Sequence, residues 1–212
     1  MAKLTINNLN LSGKRVFTRV DYNVPMEESG GAMKITDDTR IRATLPTLEK
    51  LRAQGARIVL AAHFGRPKGE RVASLSLRPV ADKLAKLTGH PVAFADDCVG
   101  DAASAAVNNL QDGEMLLLEN VRYHAGEEAN DPAFAEQLAA HADAFVNDAF
   151  GSAHRAHAST TGIAKIISAC GGQCATGLLM ERELQFLGAE LETPGKPFVV
   201  ILGGAKVSDK IK

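Results

Sequence analysis

Apolar residues in this chain gather in short unbroken runs, and most runs give way to a cluster of polar and basic residues. Such runs lie at 58–62, 115–118, 144–146 and 198–202, with a briefer candidate at 91–95, and residues 15–24 open as a further strand that closes on Asp21, Tyr22 and Asn23 before Pro25. Continuous apolar stretches rich in β-branched residues are the pattern of strands buried on both faces. Between them the spacing changes to that of helices. Ile41, Leu45, Leu48 and Leu51 recur after Asp37-Asp38-Thr39, with Pro46 inside the pattern and expected to kink the helix or delay its start. Val80, Leu84 and Leu87 line a second helix, for which Ser76 is the expected cap, Pro79 lies in the first turn and Gly89 is the stop. Residues 100–110 read as an Ala-rich helix, Asp131-Pro132 starts one bearing Phe134, Leu138 and Ala142, and 177–191 forms another that Pro194 closes. Residues 28–32 read as a glycine-containing loop. Alternating strands and helices predict an α/β fold, a Rossmann-like and mostly parallel sheet with helices on both faces.

Composition narrows the function classes. A chain of 212 residues holds one large domain, or one domain with part of another. With a formal charge of −1, the chain as a whole has no pull toward nucleic acid or an anionic membrane, so any basic site is local. Cys98, Cys170 and Cys174 are an odd set without metal-ligand spacing and read as thiols in a reducing compartment; no metal ligands are assigned. The first ten residues are too polar for a signal peptide and no run is long enough to span a bilayer, so a cytoplasmic location is expected.

The chemistry sits where the strands end. In an open α/β sheet, the loops at the carboxyl ends of the strands form the ligand crevice. Asp21 and Asn23 follow the first strand, His63 and Arg66 the second, Arg122 the run at 115–118, and Arg155 with its flanking histidines the run at 144–146. Arg40 begins a helix able to face the same crevice. A guanidinium is always charged and matches carboxylate and phosphate oxygens in pairs. Several of them suit a small ligand with more than one negative charge, such as a phosphorylated carboxylic acid. Each arginine taken singly is equally a solvated surface residue, and Asp21 or Asp148 equally a turn former or an orienter of its neighbours. Gly203-Gly204-Ala205-Lys206, followed by Lys210, is a weak phosphate-binding signal at a helix start. The chain has no P-loop, no Gly-x-Gly-x-x-Gly, no Gly-x-Ser-x-Gly and no His-Glu-x-x-His. A reaction that needs positioning and charge neutralisation, and no base, fits this inventory. Phosphoryl transfer involving a carboxylate qualifies, because that nucleophile is already ionised at pH 7. A non-catalytic anion-binding module on the same scaffold is the alternative, and the missing fingerprint disfavours a nicotinamide-dependent dehydrogenase.

At these residues the chain resembles the phosphoglycerate kinase family. The resemblance runs in order through Arg19-Val20-Asp21-Tyr22-Asn23-Val24-Pro25, His63-Phe64-Gly65-Arg66-Pro67, Glu119-Asn120-Val121-Arg122-Tyr123-His124, the segment 147–157, and Gly203-Gly204-Ala205-Lys206-Val207-Ser208-Asp209-Lys210. Tyr22 and Phe64 depart from the residues most frequent there. The resemblance implies one half of a two-domain kinase that moves a phosphoryl group reversibly between 1,3-bisphosphoglycerate and ADP, giving 3-phosphoglycerate and Mg-ATP. It implies that Asp21, Asn23, Arg40, His63, Arg66, Arg122 and Arg155 hold 3-phosphoglycerate. Arg40 and Lys206 would act on the phosphoryl group in flight, and Lys206 and Lys210 on the nucleotide. It further implies a monomer divided into an acid-binding domain over 1–176, a connecting helix over 177–193, and the start of a nucleotide domain over 194–212. The magnesium ligand would lie outside the 212 residues, which alone are expected to be inactive.

Overall fold

Strand β1 (Arg15–Arg19) shows why the sheet is covered on both sides. Val16 faces one hydrophobic core and Phe17 the other, and the same alternation separates Ile58 from Val59 and Leu116 from Leu117. The computed structural model describes residues 4–192 and Val199. After β1 come β2 (Met26–Ser29), β3 (Ala32–Ile35), α1 (Thr39–Ala53), β4 (Arg57–Ala61), α2 (Arg78–Thr88), β5 (Val92–Ala95) and α3 (Gly100–Asn109). Then follow β6 (Met115–Leu118), α4 (Ala125–Ala129), α5 (Pro132–Ala139), β7 (Ala144–Asn147), α6 (Phe150–Ala153), α7 (Ile163–Ala169), β8 (Gln173–Thr176) and α8 (Leu178–Glu192).

Six strands pair in parallel in the order β5-β6-β4-β1-β7-β8. Ile41, Leu48 and Leu51 of α1 and Val80, Ala81 and Leu84 of α2 fill the core on one face. Ala103 and Val107 of α3, Phe134 and Leu138 of α5, and Ile163 and Ile167 of α7 fill the other. The chain moves from β1 to β4, jumps to the edge strand β5, returns to insert β6 between β5 and β4, then crosses to β7 on the opposite side of β1. That reversal places a crevice beyond the carboxyl ends of β1, β4 and β7.

Several local expectations change. Helix α1 starts at Thr39 and continues through Pro46 to Ala53. Proline in a helix interior costs about 3 kcal/mol. Burying three large apolar side chains, Ile41, Leu48 and Leu51, contributes roughly 1.5–3 kcal/mol each and outweighs it. Ser76 is not the cap of α2, which begins at Arg78 with Leu77 at the cap position. From one position earlier, Ser76 Oγ accepts the Arg78 N–H at 3.2 Å, and the buried Glu119 backs it, its Oε1 accepting the Leu77 N–H at 2.8 Å and its Oε2 the Ser76 hydroxyl at 2.6 Å. A carboxylate there faces the positive end of the helix. The loop expected at 28–32 is the turn of an antiparallel hairpin, β2 with β3, in which Gly30 and Gly31 take positive φ. Helix α7 and strand β8 are additions.

The chain divides into two compact units, Met1–Glu181 and Arg182–Lys212. In the second, the Arg182 guanidinium lies over the Phe186 ring at 5.9 Å. Pro194, the glycine-rich turn, Lys206 and Lys210 lie outside the described residues, as does the run at 198–202 apart from Val199.

Candidate functional site: an arginine-rich crevice

Hydrogen bonds join three strand-end loops and the start of α1 into one rim. Beyond β1, Asp21 Oδ1 accepts the Asn23 N–H at 3.3 Å, an Asx turn that presents both side chains. Arg40, in the first turn of α1, places one guanidinium nitrogen 2.8 Å from Asp21 Oδ2. Asn23 Oδ1 accepts the Gly65 N–H at 3.0 Å, and the Gly65 carbonyl accepts from the Arg122 guanidinium at 2.8 Å. Gly65 has φ +60, and a Cβ there would stand 2.7 Å from a Leu75 methyl, so a side chain at this position would strain the backbone and displace Leu75. Asn120 locks the loops together. Its Oδ1 accepts N–H groups of Phe64 and Arg122, both at 3.1 Å, and its Nδ2 donates to the carbonyls of Phe64 at 2.7 Å and Leu75 at 3.0 Å.

Positive charge gathers on this rim. Arg40, Arg66 and Arg155 are exposed, whereas Arg122 is buried. The Arg122 guanidinium is pushed down from its usual value by burial and by Arg155 and Arg66, against the pull of Glu128, whose carboxylate lies 3.1 Å from Nε. Arg66 and Arg155 make no ion pair with any of the described residues. Four guanidiniums with two carboxylate partners between them leave the rim with an excess of positive charge.

His63 lies among them, buried after β4. Burial, with Arg19, Arg122, Arg155 and His157 around it, pushes its imidazole down to about 2. The folded protein therefore keeps His63 neutral while the unfolded chain takes up a proton below about pH 6.5. Stability is full above that pH and falls as pH drops, at about 1.4 kcal/mol per unit for this group. Denaturant unfolding of wild type and His63→Gln at pH 7, 6 and 5 measures the slope. The variant should lose less stability on acidification, and equal slopes would contradict the assignment.

The structure thus brings Asp21, Asn23, Arg40, His63, Arg66, Arg122 and Arg155 to one side of the sheet, linked by hydrogen bonds or by charge. Lys206 and Lys210 cannot be added to them, being outside the described residues. The motif reading missed the support beneath the site. Arg19, at the end of β1, is 1 % exposed and donates from Nε to Ser159 Oγ at 2.8 Å. Ser159 passes the contact on, its N–H and hydroxyl donating to the buried Glu127 carboxylate at 2.9 and 2.6 Å. Burial would raise the Glu127 carboxyl, but His157, Arg19 and Ser159 hold it below the usual range. A charge ending an apolar run, as Arg19 does, is the signal that could have found this pair. Away from the crevice, Asp97, Cys98 and His124 have ligand-type atoms within 4.8 Å of one another. There Asp97 Oδ1 is taken by His124 Nε2 and the Cys98 N–H, both at 2.7 Å, and burial holds the Cys98 thiol protonated.

The sequence profile of the phosphoglycerate kinase family matches residues 6–212. Phosphoglycerate kinase of Acidobacterium capsulatum is 56% identical over 218 residues, covering 100% of this chain and 52% of that protein. The enzyme of Rippkaea orientalis is 55% identical, with 100% and 52% coverage. The solved structure of phosphoglycerate kinase from Coxiella burnetii superposes with a TM-score of 0.83 at 39% identity, over 99% of this chain and 50% of that one. For the enzyme from Pyrococcus horikoshii the values are 0.86 and 33%, over 98% and 50%. The chain spans about half the length of the curated relatives it matches. With the family profile matching almost its whole length and a curated relative 56% identical along all of it, the chain belongs to the phosphoglycerate kinase family.

Proposed function

We propose that this chain supplies the acid-binding half of a phosphoglycerate kinase, which transfers a phosphoryl group reversibly between 1,3-bisphosphoglycerate and ADP to give 3-phosphoglycerate and Mg-ATP. The observation that carries this reading is the convergence of Arg40, Arg66, Arg122 and Arg155 with His63 on one rim of the sheet. Guanidiniums pair with the carboxylate and phosphate oxygens of 3-phosphoglycerate. Asn23 has its carbonyl oxygen committed to Gly65, leaving its amide N–H groups for the ligand. Asp21 aims Arg40, which neutralises charge on the phosphoryl group in flight. No general base is needed, since the attacking carboxylate is ionised at neutral pH. Residues 1–176 form the acid-binding domain and 177–193 the connecting helix. Residues 194–212 begin the nucleotide domain, where Lys206 would share the stabilisation with Arg40 and Lys210 would meet the nucleotide phosphates. The protein is read as a cytoplasmic monomer, with magnesium arriving with the nucleotide.

Calorimetry of the 212-residue chain tests the reading. 3-Phosphoglycerate should bind weakly and less well as salt rises, while NADH should give no heat; the reverse pattern overturns the assignment. A coupled assay should detect no turnover, and normal turnover by this chain would show that it is no half-site.

A further inference from the structure

We propose that Arg19, buried beneath the rim, fixes His63 in the Nε2–H tautomer, so that His63 meets the bound acid as a neutral hydrogen-bond donor. This deepens the acid-binding reading and rests on it. Arg19 is a positioning residue, acting through the imidazole. One of its terminal nitrogens lies 3.1 Å from His63 Nδ1, and both side chains are buried. Guanidinium has donors and no acceptor. Nδ1 must therefore offer a lone pair, and the single proton of the neutral ring sits on Nε2. Protonating Nδ1 would set two donors face to face beside a buried cation.

Arg19 has no freedom to swing away. Nε donates to Ser159 Oγ at 2.8 Å and the other terminal nitrogen to the Val20 carbonyl. Ser159 is held in turn by Glu127, which balances the guanidinium charge. This part of the chain is a wide π-type turn, Ala158–Gly162, closed by the Gly162 N–H on the His157 carbonyl at 3.2 Å. The charged and titratable groups around His63 are Arg19 from β1, Arg122 from the loop after β6, and Arg155 and His157 from the segment after α6. All of them oppose a positive imidazole. The other ring nitrogen, Nε2, bonds to none of the described residues and is not sealed from solvent.

The consequence is a division of labour. The arginines supply charge, and His63 supplies direction without taking up a proton when the acid binds. Two-bond proton–nitrogen NMR of the 212-residue chain reads the tautomer directly. The expected spectrum has His63 Nδ1 unprotonated and Nε2 protonated, unchanged from pH 5.5 to pH 8. A protonated Nδ1, or a ring titrating within that range, overturns the proposal. Arg19→Met should release the ring into a mixture of Nδ1–H and Nε2–H tautomers, and Arg19→Lys should keep the wild-type pattern. Wild-type spectra decide the matter even if Arg19→Met does not fold. In calorimetry with 3-phosphoglycerate, His63→Gln keeps a donor near the Nε2 position, whereas His63→Asn keeps one only near Nδ1. The Asn variant should bind roughly ten- to hundredfold more weakly than wild type, the loss of one hydrogen bond to a charged group, and the Gln variant within about tenfold. An Asn variant that binds as well as the Gln variant also overturns the proposal. If the NMR result holds and 3-phosphoglycerate gives no heat, the acid-binding reading fails while the tautomer assignment stands.

Discussion

Arg40→Ala lowers turnover about 10²–10³-fold, the usual effect of removing one donor from a developing negative charge. The measurement belongs in a chain that continues this half into the nucleotide-binding half of a family member, using a coupled assay of ATP formation. Arg40 stands apart from its fellow arginines in position. It comes from a helix start, not a strand end, and is half-exposed on the rim, resting one nitrogen on Asp21 at 2.8 Å. The remaining face of the guanidinium is available to a second anion, which is what a group neutralising a phosphoryl in transit requires. Arg40→Lys keeps the charge and loses the paired donor geometry, so its activity should fall between the two. A loss in kcat under about tenfold for Arg40→Ala, with KM carrying the rest, would reassign Arg40 to ground-state binding.

Glu127→Ala lowers folding stability by about 3–5 kcal/mol, the cost of leaving a buried charge without its partner. Glu127 is fully buried, and removing it strands Arg19 at 1 % exposure with Ser159 facing a void. Denaturant midpoints measure the effect. Arg19 and Glu127 are joined through Ser159, and the informative comparison is the double variant Arg19→Met with Glu127→Leu, since replacing two buried opposite charges together with apolar groups of similar size is often neutral. It should be more stable than Glu127→Ala alone. If the two lose equal stability, packing and not charge explains Glu127. The double variant also frees His63, so the stability of the pair and the geometry of the site separate in one protein.

Much of this fold and site is legible in residue order because burial imposes it. A parallel strand covered on both faces must be apolar throughout, and Met115–Leu118 is buried at every position. The polar loops at strand ends were legible for the complementary reason, that exposed guanidiniums and amides occur where an apolar run stops. The hairpin of β2 and β3 was not, because Met26–Ser29 is largely exposed and its residues carry no core-facing alternation. Strand β8 escaped for a similar reason: Gln173–Thr176 contains two polar residues in four and, apart from a single bridge from Thr176 to Thr5, pairs with β7. Ser76 does accept the Arg78 N–H, but no motif could show that Glu119, 43 positions away, would hold Ser76 and the Leu77 N–H.

By itself, the chain's residue order determined the α/β alternation and the places of Asp21, Asn23, His63, Arg66, Arg122 and Arg155 after strands and of Arg40 at a helix start. These follow from local rules, since a side chain's hydrophobicity and its place at the end of a run are properties of neighbours in the chain. Tertiary structure alone decided the strand order β5-β6-β4-β1-β7-β8 and the buried line from His63 through Arg19 and Ser159 to Glu127. Arg19 and Ser159 are 140 positions apart, and no local pattern foretells that contact. A buried charge must find its partner wherever the packed sheet brings one, because leaving it unpaired costs more than any single turn or cap contributes.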